Sequence, residues 1–331
     1  MRILINSVAA SSSGALGILQ EYYQRAAEDA DGQYILLISV PELPSTPNVK
    51  VLRFPWVKRS WLHRIVFDWV VAPAIVKRER PERIISLQNL KMKLVSAPQT
   101  VYEHNCIPPA FCEYRFNLLE EPVLWVRQNI LGRMTQRSLK TADKIIVQTE
   151  WMKRRCTENL GIDPEKITVE PPRLTSLPSE PYEKTLPISF LYPATHMPFK
   201  RHDLIIDAVE KLVGIGLGKQ FKVVFTLSGD ESKYTSALKQ RVFAKGLPVE
   251  FAGWQTRDAL YEMYRRSVLL FSSELESFPL PLIEVAAIGA PVVAPNLEYA
   301  REALGGYRGA SFFTAGDSSS LAEAMEALID G

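Results

Sequence analysis

Apolar positions along this chain follow two alternating rhythms. Short runs at residues 3–6, 34–39, 51–54, 84–87, 100–103, 144–148 and 167–169 have the length and β-branched content of buried strands. The longer amphipathic stretches between them predict helices over 15–28, 58–77, 122–140 and 150–160. Such alternation predicts a parallel sheet covered by helices. Pro171-Pro172, Pro178, Pro181 and Pro187 then interrupt the pattern in a polar stretch of interdomain-linker character. Beyond it the rhythm resumes, with strands at 188–192, 222–228, 249–252, 268–271, 291–294 and 311–313. On the helix at 202–213, Leu204, Ile205, Ala208, Val209 and Leu212 share one face, as do Leu321, Ala324, Met325 and Leu328 at 320–329. The expected architecture is two Rossmann-like, doubly wound α/β domains, 1–177 and 188–331, joined by a linker at 178–187 and facing across a cleft at the carboxyl ends of their strands.

Composition agrees with a two-domain globular chain. The 331 residues are 47% apolar and 23% charged, and Met1-Arg2-Ile3-Leu4-Ile5 reads as a first strand rather than a leader. No apolar run approaches the ~20 residues needed to span a bilayer, so the expected location is the cytoplasm. Cys106, Cys112 and Cys156 are odd in number and form no Cys-x-x-Cys pair, which argues against disulfides and structural zinc. The net charge of +2 conceals a concentration: residues 50–93 hold eleven basic and three acidic residues among Phe54, Trp56, Trp61, Phe67 and Trp69. Cations interleaved with aromatic rings predict peripheral contact with an anionic membrane, on the inner face of the plasma membrane. A solvated basic face is the plainer alternative, and a sequence pI near 8.3 without a nucleic-acid-binding module argues against nucleic acid.

The most informative stretch is Glu276-Ser277-Phe278-Pro279-Leu280-Pro281-Leu282-Ile283-Glu284. It follows the buried run 267–272, Pro281 suits a first helical position, and Gly289 provides the stop. Two carboxylates eight positions apart thus stand at a helix mouth. Free N–H groups and the helix dipole favour an anion there, while carboxylates accept hydrogen bonds from sugar hydroxyls, so a phosphorylated sugar meets both demands.

These residues resemble the family-four glycosyltransferases of the GT-B fold, whose signature is a Glu, seven residues and a second Glu. The resemblance extends to Gly289-Ala290-Pro291-Val292-Val293, Phe251-Ala252-Gly253-Trp254, Leu260-Tyr261-Glu262-Met263-Tyr264, Phe190-Leu191-Tyr192-Pro193-Ala194 and Phe199-Lys200-Arg201-His202. In the first half Ala142-Asp143-Lys144-Ile145-Ile146-Val147-Gln148-Thr149 is also similar. The match is dense after Pro187 and loose before it. What it implies is a retaining, metal-independent hexosyltransferase. The donor is a nucleotide-diphosphate sugar rather than a bound cofactor, and the acceptor is a surface glycan or a lipid-linked one in polysaccharide biosynthesis.

By the same resemblance Glu284 binds nucleotide ribose, Glu276 approaches the transferred sugar, Lys200 neutralises the leaving diphosphate and His104 faces the sugar from the first domain. Ser277, Phe278, Leu280, Gly253 and Trp254 join the donor site, and Gly14 in Ser11-Ser12-Ser13-Gly14 brings backbone close to acceptor or diphosphate, unless that loop is a plain small-residue turn. The chain departs from the family in four places. Ser277 and Pro279 replace usual glycines, and because Pro279 has no N–H, Phe278 and Leu280 are left to supply backbone donors. The Arg that commonly precedes the Lys is missing, with Arg201, Arg173 or His196 as replacements. The family usually continues with a helix that crosses back onto the first domain, whereas the sequence stops at Leu328-Ile329-Asp330-Gly331, so truncation is the expectation.

A lone histidine is more often structural than catalytic, so His104 keeps that second reading. Asp29-Ala30-Asp31 has a metal-binding spacing but reads as a turn after a helix, and Gly14-Ala15-Leu16-Gly17 lacks the dinucleotide-binding order. Two other functions fit the same cleft: an epimerase of nucleotide sugars, and a catalytically silent nucleotide-sugar-binding partner subunit.

Overall fold

The computed structural model describes residues 1–10, 13–110, 115–119, 121–174 and 177–330, so Ser11, Ser12 and Cys112 lie outside the described residues. It contains two compact units, Met1–Arg173 and Leu174–Gly331. The end of the proline-rich stretch is part of the second unit: the N–H groups of Tyr182 and Glu183 donate to the Ile288 and Arg265 carbonyls at 2.9 and 2.7 Å.

The first unit runs β1 (Arg2–Asn6), α1 (Ser13–Glu28), β2 (Gln33–Ile38), β3 (Val49–Arg53), α2 (Trp61–Val66), α3 (Ala72–Glu79), β4 (Arg83–Ser86), β5 (Gln99–Glu103), α4 (Pro122–Val126), α5 (Gly132–Lys140), β6 (Lys144–Val147), α6 (Glu150–Leu160) and β7 (Ile167–Val169). All seven strands are parallel, in the order β3-β2-β1-β4-β5-β6-β7. Strand alternation divides the core between two faces. Ile3, Ile5, Leu36 and Ile38 pack with Ile18, Leu19 and Tyr22 of α1, whereas Leu4, Ile35, Leu37 and Ile84 pack with Phe67, Ile75 and Val76 on the other side. Each such side chain contributes roughly 1.5–3 kcal/mol of burial.

Two of the expected long helices contain π turns. Phe67–Val71 joins α2 to α3, where Pro73 cannot donate an N–H, and Arg127–Leu131 joins α4 to α5. At the second turn Gly132 donates its N–H to the Arg127 carbonyl, five residues back, and a Cβ at 132 would lie 3.3 Å from that oxygen. The expected start of the first of these helices, at residue 58, is corrected: 55–58 forms a separate 3₁₀ turn, and α2 begins at Trp61 under a Ser60 cap that accepts from the His63 N–H.

The second unit runs β8 (Ile188–Tyr192), α7 (His202–Gly214), β9 (Phe221–Phe225), α8 (Lys233–Lys245), β10 (Val249–Phe251), α9 (Arg257–Arg265), β11 (Val268–Leu270), α10 (Leu280–Ala287), β12 (Val292–Pro295), α11 (Glu298–Leu304), β13 (Ala310–Phe313) and α12 (Ser318–Asp330). Its six parallel strands have the order β10-β9-β8-β11-β12-β13. Gly289, at φ 75°, reverses the chain after α10, as its place in the sequence implies. Among the described residues no helix is long and apolar enough to cross a membrane.

One buried carboxyl stands out in the first sheet. Glu103 ends β5 fully buried; its Oε1 accepts from the Asn105 N–H at 3.0 Å and its Oε2 has no partner. Burial raises its pKa well above the ordinary carboxylate value, so the folded chain retains a proton that the unfolded chain releases. Stability therefore falls as pH rises from the ordinary carboxylate range toward the folded pKa, by up to about 1.4 kcal/mol per pH unit. Glu103→Gln keeps an acceptor for Asn105 and removes this slope. Urea midpoints are expected to converge near pH 4 and to favour the variant increasingly as pH rises above the ordinary carboxylate range; parallel curves would show that the carboxyl is solvated.

Candidate functional site

In the second unit successive crossovers leave β8 in opposite directions, toward β9 on one side and toward β11 on the other, so β8 and β11 flank the topological switch point. The loops that follow these two strands carry most of the residues singled out above. After β8 the chain makes a 3₁₀ turn, Pro198–Lys200, and Arg201 takes a left-handed conformation at φ 55° before α7. The Lys200 carbonyl accepts from the hydroxyls of Tyr192 and Ser272, both at 2.8 Å, and Ser272 also reaches the Arg201 carbonyl at 3.1 Å. The Glu274 N–H donates to the Phe199 carbonyl at 2.8 Å. Bonds to the main chain from residues at and after the ends of both strands thus hold the lysine in place.

Its ammonium forms an ion pair with Glu276, both side chains about 15% exposed, and Nζ lies 5.5 Å from the centre of the Phe199 ring. Lys200 and Glu276, chosen from sequence for different ends of one ligand, are direct partners here. Next to them Arg201 pairs with Glu274 and with Asp203, the latter at 3.2 Å, and Tyr234 donates to Asp203 at 2.8 Å. Arg201 is therefore committed to carboxylates. Arg173 belongs to the first unit, where its N–H donates to Glu21 at 3.0 Å. Of the three residues offered in place of the missing Arg, Arg201 and His196 lie in the loop after β8 and Arg173 lies in the first unit.

The loop 276–280 departs from expectation in two respects. The Leu280 N–H donates to the Phe278 carbonyl at 2.9 Å around Pro279, whose φ −81° and ψ 72° form an inverse γ-turn, so it is not the free donor that the missing Pro279 N–H seemed to demand. The helix α10 begins at Leu280 with Pro281 second, which makes Glu284 the fifth helical residue rather than one of the first turn. Its carboxylate lies beside α9 instead: Oε1 accepts from the Tyr261 hydroxyl at 3.0 Å and from Arg257 Nη2 at 3.3 Å. Burial pushes the Glu284 pKa up, while Tyr261 and Arg257 pull it down. Arg257 and Tyr261 were missed from sequence as site residues, although their spacing of four marks one helical face.

The remaining expected residues lie apart from this group. Gly253, at φ 73°, and the strongly exposed Trp254 follow β10, two strands from β8. Gly14 is the second residue of α1 in the first unit, and a Cβ there would meet open space. His104 follows β5 in the first unit; its N–H donates to Asn89 Oδ1 at 3.0 Å, its Nε2 lies 3.4 Å from Asn89 Nδ2, and burial brings its pKa down to about 4, leaving the ring neutral near pH 7. His104 Nδ1, Asn6 Nδ2, Ser7 Oγ and Gln88 Oε1 are buried without partners at the carboxyl ends of β5, β1 and β4. Groups of this kind are ordinarily satisfied by water or ligand. Asp29 accepts from the Tyr34 hydroxyl and from the Asp31 N–H in the turn between α1 and β2, as the turn reading implies.

Residues 188–331 match the family model described as Glycosyl transferases group 1. Among curated proteins the chain is similar to D-inositol 3-phosphate glycosyltransferase of Acidothermus cellulolyticus, 28% identical over 173 residues; the match takes in 47% of this chain and 39% of that protein, and so spans well under half of the relative. Among solved structures it is similar to Anabaena HepE in complex with UDP and glucose, at 17% identity and TM-score 0.66 over 100% of this chain and 90% of that one. WaaG, a glycosyltransferase involved in lipopolysaccharide biosynthesis, gives 13% identity and TM-score 0.66 over 100% and 91%. A glycosyltransferase from Rickettsia africae gives 16% identity and TM-score 0.64 over 99% and 88%. At these identities the likeness is one of fold, the two Rossmann-like units of GT-B proteins.

The ion pair of Lys200 generates a direct test. Glu276→Gln removes the carboxylate that occupies the ammonium, and the variant is expected to bind inorganic pyrophosphate several-fold more tightly than the unaltered chain in calorimetric titration. Equal affinities would show that the ammonium does not face an anion site.

Proposed function

We propose, from the premise that this chain belongs to the group 1 glycosyl transferases, that it moves a sugar from a nucleotide diphosphate to an acceptor hydroxyl with retention of configuration and without a metal. The observation that carries this reading is the placing of Lys200, Glu276 and Glu284 on the loop and helix that follow the switch-point strands of the second unit. The sugar C1–O bond breaks and the diphosphate leaves with the electron pair. Lys200 stabilises that charge once Glu276 exchanges its ammonium partner for sugar hydroxyls. The acceptor oxygen then bonds to C1 on the face that the diphosphate leaves, and its proton passes to a phosphate oxygen. Glu284 holds the nucleotide through its hydroxyls. The first unit takes the acceptor, for which the uncharged edge formed by Asn6, Ser7, Gln88 and neutral His104 suits sugar hydroxyls rather than phosphate.

Nucleotide release from UDP-, GDP- and ADP-sugars, followed with and without glycan acceptors, tests the reading. Acceptor-dependent turnover that drops about 100-fold or more in Lys200→Ala and in Glu284→Ala is the expected outcome. Sugar interconversion without release would indicate an epimerase, and binding without either reaction a silent partner subunit.

A lipid-linked acceptor and a peripheral place on the cytoplasmic face of a membrane extend this proposal. Trp61, Leu62, Ile65, Trp69 and Val70 are exposed on α2 and the following turn, beside Arg59. Lys58 is not part of that face, because its ammonium donates to the Ala9 carbonyl at 2.5 Å. A second apolar stripe, Val123, Val126, Ile130 and Met134, runs along α4 and α5, a segment with four basic residues and no acidic one. Trp61→Ser/Trp69→Ser is expected to abolish flotation with anionic liposomes, and flotation of the unaltered chain should weaken at high salt. Flotation unchanged by the double substitution would remove the membrane from the proposal.

A further inference from the structure

The helix α9 presents Arg257, Tyr261 and Tyr264 at positions i, i+4 and i+7, one face directed at Glu284 of α10. The contacts form a closed triangle. Arg257 Nε donates to the Tyr261 hydroxyl at 2.6 Å, Tyr261 donates to Glu284 Oε1 at 3.0 Å, and Arg257 Nη2 donates to the same oxygen at 3.3 Å. The directions are fixed by chemistry, since a guanidinium has no acceptor and an ionised carboxylate has no donor. The tyrosine hydroxyl must therefore receive from arginine and give to glutamate, and a cation at its oxygen strengthens the bond that it donates. Arg257 also lies 5.3 Å from the centre of the Tyr261 ring, which holds the ring and the guanidinium together.

Both hydrogen bonds end on Oε1, and Glu284 is almost wholly buried. We propose that Tyr261 and Arg257 are positioning residues for Glu284: they commit one carboxylate oxygen to the protein, so that the other is offered in a single orientation to a vicinal pair of hydroxyls on the ligand. The proposal rests on the donor-site reading of Glu284. A carboxylate held by one oxygen cannot rotate to follow a ligand, and an oxygen with two lone pairs can accept from two adjacent hydroxyls. Selectivity for a cis-diol such as that of ribose, over a 2′-deoxy sugar, would arise from this orientation.

The electrostatic balance at Glu284 agrees with the arrangement. Desolvation disfavours its charge, and the groups that act on it are Tyr261, Arg257 and Tyr264, all from α9. The buried Tyr264 hydroxyl also faces the Glu284 carboxylate, and it is itself pushed far up by burial and by that neighbour, so it adds no charge. Removing Tyr261 or Arg257 leaves the burial penalty less opposed. The Glu284 carboxyl then holds its proton to a higher pH, and the acid limb of ligand binding moves upward with it.

The experiment has one readout without ligand and one with it. The ¹³C carboxyl resonance of Glu284, assigned by its loss in Glu284→Gln, is titrated with pH in the unaltered chain, in Tyr261→Phe and in Arg257→Gln. Calorimetry then measures UDP-glucose, GDP-mannose and ADP-glucose, with the 2′-deoxy analogue of whichever binds. The expected result is a titration midpoint raised by about one pH unit in each variant, with at least tenfold weaker binding of the ribose compound and little change for the deoxy compound. Midpoints that do not move overturn the positioning role, whatever the ligand. Midpoints that move while ribose and deoxy compounds weaken equally overturn the diol assignment. Failure of the unaltered chain to bind any of the three sugar nucleotides, with midpoints still moving, defeats the donor-site reading and with it the ligand half of the proposal. Arg257 is half-exposed, so Arg257→Gln carries the test should Tyr261→Phe fold poorly.

Discussion

The Lys200 carbonyl, held by hydroxyls from Tyr192 at the end of one strand and Ser272 just past the end of its neighbour, is the contact on which the candidate site depends. Chains leaving a topological switch point diverge, and nothing in a parallel sheet by itself keeps two such loops together. Two hydroxyls on one backbone oxygen, together with the bond from the Glu274 N–H to the Phe199 carbonyl, join them. The ion pairs Lys200–Glu276 and Arg201–Glu274 then span a gap whose width the backbone has already set. Their geometry follows from bonds that fix the main chain more than from the long ion-pairing side chains themselves, which is the condition for a charged site to be preorganised.

The two units show contrasting chemistry at the same structural position. In the second unit, after β8 and β11, charges are paired: Lys200 with Glu276, Arg201 with Glu274, and Arg257 with Glu284. At the ends of β1, β4 and β5 in the first unit several buried polar atoms are unpartnered: those of Asn6, Ser7 and Gln88, of a histidine held neutral by burial and of a carboxyl driven toward its protonated form. Under the proposed transfer, a charged leaving group and an uncharged hydroxyl acceptor would suit this division. A phosphate needs compensating charge, while a sugar hydroxyl needs only donors and acceptors.

Much of this was legible in the linear chain. Runs with the strand rhythm became the thirteen strands within a residue or so, except where 222–228 extended past the end of β9 at Phe225, and the helix over 150–160 matches α6 to the residue. Other features depend on partners remote in sequence. The π turns at Phe67–Val71 and Arg127–Leu131 preserve the helical apolar rhythm while altering its hydrogen bonds, so periodicity alone reads straight through them. The inverse γ-turn at Pro279 uses the Leu280 N–H locally, a choice that a count of available donors does not reveal.

Spacing alone determined that Glu276 and Glu284 would bracket the entry to a helix after a buried strand, and that Lys200 would follow the first strand of the same unit, because helix and strand periodicity is written into neighbouring residues. Only the tertiary structure decided that Lys200 and Glu276 would neutralise each other and that Glu284 would lie one turn inside its helix against Arg257 and Tyr261. The reason is physical: these partners are 76, 27 and 23 positions apart in the chain, and the free energy that brings them together comes from packing the sheet and helices between them.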